Sequence, residues 1–126
     1  MIEAPVSWGE LIDKITILQI KSERIEDAAK RRNVDTELAL LEARRATAPA
    51  GAQVERLTAE LKAVNTELWV IEDDIRDCER AQDFGPGFIA LARAVYHTND
   101  KRAALKRALN EALGSAIVEE KSYKPY

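Results

Sequence analysis

Cysteine, histidine and methionine each occur once in these 126 residues, glycine five times and proline four. A lone cysteine, Cys78, excludes an internal disulfide, and nothing has the spacing of a zinc-ligand set. Aromatic residues make up only 6% of the chain, and the scarcity of glycine and proline argues against an all-β or disordered protein. No uninterrupted apolar run approaches the roughly 20 residues that a membrane span needs. The first residues lack the pattern of a secretory signal and reach Pro5 quickly, so a cytoplasmic protein is expected. Strong charge of one sign is missing too. A formal net charge of −3 argues against bulk electrostatic binding to nucleic acid or an anionic membrane.

What the sequence does have is helical periodicity. Val54, Leu57, Leu61, Val64, Leu68, Ile71, Ile75 and Cys78 follow one another at alternating gaps of three and four. Residues so spaced lie on one face of a helix, which predicts a long helix from about Ala52 to Gln82. Such a helix exceeds what a compact bundle of this size needs, so part of it should project or pair with another subunit. Ser7-Trp8-Gly9-Glu10 has the form of a capping box and predicts a helix from there to about Arg32. Its apolar residues spread over a wide arc that includes Ile17 and Ile20. A helix of that kind either sits centrally or is covered by a second copy of the chain. Asn33-Val34-Asp35 reads as a break before a shorter helix with a weak hold on the core. Asp83-Phe84-Gly85-Pro86 opens a fourth helix that should stop at Gly114, a good left-handed cap. The expected fold is all-α, a single antiparallel helical bundle of three long helices and one short helix, with residues 115–126 as a C-terminal arm. A homodimer is the expected assembly.

Several ionisable residues fall where a helical wheel places the core. Arg102 and Lys106 lie inside the apolar arc of the fourth helix, and Asn99 and Asn110 lie at its edge. Glu72 falls in or beside the arc of the long helix, with Asn65 and Arg76 next to it. On the first helix, Lys14 and Lys21 share the side of Leu18 and Ile25. Burying a charge is costly unless it is paired and hydrogen-bonded. The cluster therefore predicts either an internal lattice of ion pairs or a pocket for a small anion. In the second reading Arg102, Lys106, Asn99, Lys14, Glu72 and Arg76 make the ligand contacts, with the Arg102 guanidinium as a fork for carboxylate or phosphate. Trp69 flanks the seam and could cover the mouth of such a pocket.

A helical module that binds a protein partner or a small anionic ligand is the leading expectation. The alternative is a small enzyme acting on a carboxylate- or phosphate-bearing metabolite, with Glu72 as general acid or base. No cofactor is called for. Asp73, Asp74 and Asp77 could share a hard cation, but no second acidic helix is evident, so no metal site is expected. His97 has no identifiable catalytic partner and is expected at the surface.

The stretches Pro5–Leu18, Leu68–Arg76, Ala92–Tyr96 with Asn99-Asp100, and Glu119–Tyr123 resemble a bacterial family classed as a domain of unknown function. That likeness covers nearly the whole chain and implies no particular activity or site.

Overall fold

Ser7 starts the first helix as expected, its hydroxyl accepting from the backbone N–H of Glu10 at 3.1 Å. In the computed structural model, which describes residues 1–126, four helices follow and there is no strand. They are α1 (Trp8–Arg24), α2 (Ala28–Arg45), α3 (Ala52–Ala81) and α4 (Pro86–Leu113). Gln82 caps α3 in the left-handed conformation (φ 53°), and Gly114 does the same for α4 (φ 63°). Pro86 stands in the first turn of α4, where its missing N–H has no partner to lose.

One boundary differs from the sequence expectation. The break falls at Ile25–Asp27, not at Asn33–Asp35, so α1 is shorter and α2 longer than the sequence suggested. Asp27 accepts from Lys30 N at 2.8 Å as the new cap, and the Arg31 guanidinium donates to the Ile25 carbonyl. Asn33 to Asp35 stay helical, and Asp35 instead receives the Ser22 hydroxyl at 2.6 Å. No glycine or proline marks the true break. It is fixed by these side-chain bonds and by α2 folding back along α1.

The helix α1 packs against each of the other three, which covers most of its wide apolar arc within the chain and leaves Ile17 half-buried. Ile12 joins Val54, Leu57, Leu61 and Leu109 in the core, and Leu61 and Leu109 are wholly buried. By contrast, α2 touches only α1 and buries no residue. The long seam is buried at Val54, Leu57, Leu61 and Val64 but only half-buried at Leu68, Ile71, Ile75 and Cys78. The helix α3 is ~45 Å long at about 1.5 Å per residue and α1 only ~25 Å, so the far part of the α3–α4 hairpin runs on beyond α1. No helix is long and apolar enough to cross a membrane.

Candidate functional site

At the centre of the bundle lies a carboxylate that the helical wheel did not flag. Asp13 is fully buried, and every hydrogen bond its carboxylate accepts comes from another helix. Arg102 on α4 grips it with two nitrogens, Nε to Oδ1 at 3.0 Å and Nη2 to Oδ2 at 2.5 Å. Asn65 on α3 donates from Nδ2 to Asp13 Oδ1 and to the Thr16 hydroxyl, both at 2.9 Å. Thr16 in turn donates to the Asp13 carbonyl at 2.8 Å. A fork geometry of this kind is the strong form of an ion pair. The hydrogen bonds to Asp13 push the Arg102 guanidinium above its ordinary pKa. The network ties α1, α3 and α4 at one point, and no buried side-chain polar atom is left without a partner.

A turn further along α4, Lys106 is largely buried and bonds Glu10 at 2.6 Å and Glu119 of the C-terminal arm at 2.9 Å. Burial works against its charge, but the two carboxylates more than offset this and hold its pKa above the usual lysine value. Close approach of α1 and α4 makes the Asp13–Arg102 and Glu10–Lys106 pairs possible. Gly9 N–H donates to Asn110 Oδ1 at 2.6 Å, and a Cβ on residue 9 would stand 2.8 Å from that oxygen and closer still to the Lys106 carbonyl. Only glycine fits there.

The arm, residues 115–126, lies along α4. Ser115 receives the Trp8 N–H at 3.3 Å, Glu120 meets Arg107 at 3.4 Å, and both Lys121 and Tyr126 donate to Asp100. Those two donors hold the Asp100 carboxyl below the usual carboxylate range, and Asp100 in turn raises the Tyr126 phenol. The Tyr126 ring also meets Tyr96 and His97 edge-on, with centroids 5.1 and 4.6 Å apart. His97 is exposed, as the sequence indicated.

Two clefts open beside this network. One, of about 460 Å³, lies among α1, α3 and α4. Its apolar lining is Ile17, Ile20, Leu68, Val95 and Trp69, and its polar lining includes Asn65, Asn99, Arg102, Glu72 and Arg76. The other, of about 530 Å³, lies between α4 and the arm, with Arg102, Lys106 and Arg107 on one side and Glu119 and Glu120 on the other. Asn99 and Arg102 border both.

The sequence candidates are therefore distributed unevenly. Arg102, Asn99, Glu72 and Arg76 share the first cleft, whereas Lys106 borders the second. Glu72 and Arg76 do not point inward but form an exposed i,i+4 pair at 3.5 Å. Lys14 is corrected outright: its side chain is half-exposed and reaches Glu37 on α2 at 3.7 Å, away from both clefts. The wheel assigned it inward because the boundary of α1 and the position of α2 were unknown. The inward cations take their partners from Asp13, Glu10 and Glu119. A signal for Asp13 was present, since Gly9, Asp13, Thr16 and Ile20 repeat at gaps of four, three and four. No group of three or more His, Cys, Asp or Glu side chains stands close enough to hold a metal ion.

Sequence comparison matches residues 2–126 to the Family of unknown function (DUF6165). No curated protein and no solved structure matches the chain. Because the match spans essentially the whole sequence, the chain belongs to the DUF6165 family, one of unknown function.

Proposed function

We propose that this protein binds a small amphipathic anion in the cleft among α1, α3 and α4. The observation that carries the reading is the combination found at Asn99 and Arg102. Arg102 commits Nε and Nη2 to Asp13, which fixes the guanidinium and leaves Nη1 uncommitted on a residue that borders the cleft. The Asn99 amide stands one turn before it on the same helix and borders the same space. Beside these donors lies an apolar wall of Ile17, Ile20, Leu68, Val95 and Trp69. A concave, partly apolar surface with a few convergent polar groups is what small-ligand sites have in common. A carboxylate or phosphate head fits the donors, and a planar or aliphatic body fits Trp69 and its neighbours.

Phenyl phosphate and benzoate are suitable probes, with inorganic phosphate as the control that lacks an apolar body. Binding to the folded chain raises the melting temperature by mass action, by several degrees once the probe is well above its dissociation constant. The amphipathic probes should do this at lower concentration than phosphate and should perturb Trp69 emission. Asn99→Leu should weaken the response about tenfold without lowering stability, because no fold contact depends on that amide. Arg102→Ala is unsuitable here, since it strands Asp13. If millimolar phenyl phosphate moves neither the melting temperature nor the fluorescence, the reading is wrong.

A further inference from the structure

We infer that the C-terminal arm is an electrostatic competitor for this anion site, with Glu119 and Glu120 held on Lys106 and Arg107, where their negative charge stands beside Arg102 on the side away from the ligand cleft. The inference rests on the ligand-binding reading above and adds its regulation. Each of the three α4 cations that border the space beneath the arm has a partner outside it: Asp13 for Arg102, Glu10 for Lys106 and Glu111 for Arg107. The contacts from Glu119 to Lys106 and from Glu120 to Arg107 are thus additional, and their loss strands no buried charge. After Ser115, whose N–H bonds the Asn110 carbonyl and whose hydroxyl donates to the Ile117 carbonyl, the arm makes no backbone–backbone hydrogen bond. What holds residues 119–126 is side-chain charge, the Tyr126 hydroxyl and one edge of aromatic contact. Both glutamates are mostly exposed, and ties of that kind are individually weak and screened by salt.

The position of the arm gives these weak contacts a consequence. The space beneath it is bordered by Asn99 and Arg102, the two residues that offer donors to the ligand cleft on their other side. An anion at Arg102 therefore meets the negative charge of Glu119 and Glu120 across a single side chain. The arm is tethered at Gly114, a left-handed cap, and at Ser115, so it can swing from a fixed hinge without disturbing α4. A tethered carboxylate acts at an effective concentration near millimolar, which sets how strongly it opposes a ligand free in solution. Because coupling between two sites is reciprocal, an arm that lowers the anion affinity about tenfold is itself loosened about tenfold by the bound anion.

The test uses the full chain and phenyl phosphate, titrated calorimetrically into the wild type and into the double variant Glu119→Gln, Glu120→Gln. The variant should bind about tenfold more tightly at low salt, and the difference should shrink at high salt. In ¹⁵N spectra of the wild type, the probe should drive the amide signals of residues 117–126 toward random-coil positions while those of α1 and α3 stay folded. Equal affinities for the two proteins would overturn the competitor role and leave the ligand site standing. Binding by neither would overturn the ligand reading, and the arm's role with it.

Discussion

The helices α1 and α2 are nearly the same length, 17 and 18 residues, yet they stand at opposite ends of the scale of burial. Packed on three sides, α1 buries eight residues, among them Asp13 and Thr16. α2 buries none and is tied to α1 by half-buried leucines and by surface pairs such as Lys14–Glu37 and Ser22–Asp35. Helical stability in proteins comes mostly from packing, so two helices of equal length need not contribute equally. Stability and the polar site both reside where α1 meets α3 and α4, and α2 is an outrigger.

Breaking the Asp13–Arg102 pair is the sharpest way to expose that difference. Asp13→Ala leaves a guanidinium without its buried partner and should cost about 3–5 kcal/mol in urea unfolding. Gly9→Ala forces α1 and α4 apart and should cost about 1–3 kcal/mol, because the new methyl meets backbone rather than a flexible side chain. Ser7→Ala removes the cap of α1 and should cost ~1 kcal/mol. On α2, Glu37→Ala removes an exposed ion pair and should change stability by less than about 1 kcal/mol. A loss at Glu37 comparable to that at Asp13 would mean that α2 is held by more than its contacts with α1. Amide exchange offers an independent check, since α2 should open at lower free energy than α1.

The arm is held largely by titratable side chains. Its partner Asp100 has a lowered pKa, so the contribution of its contacts is present at neutral pH and is lost as pH falls through the folded value. Tyr126 has a raised pKa, so its contribution is complete below the ordinary tyrosine value and is lost as pH rises through the folded one. The signals of residues 117–126 should therefore be most dispersed near neutrality and collapse at both extremes. The folded core should show no matching step at the alkaline limit. A single global transition there would contradict a separately held arm.

Much of this architecture was legible in the sequence. The three-four spacing from Val54 to Cys78, the capping box at Ser7, Pro86 at the start of α4 and Gly114 at its end each act through neighbours within one or two turns. Arg102, Lys106 and Asn99 could be singled out by their place on an apolar arc, because a helical wheel needs only the helix that carries them. Their partners could not. Glu10 and Asp13 lie 96 and 89 residues from Lys106 and Arg102, Glu119 lies past the end of α4, and a wheel has no information about which face meets which.

The sequence alone therefore determined the fold class, the main helix ends and the unusual charges of α4, since all of these follow from local backbone chemistry and periodicity. Tertiary structure decided where α1 stops, that Lys14 faces α2 and solvent, that Asp13 is the buried partner of Arg102, and that the arm lies over the cationic edge. Those outcomes depend on how rigid helices share limited interior volume while every buried charge finds a partner, a condition only the assembled bundle can satisfy.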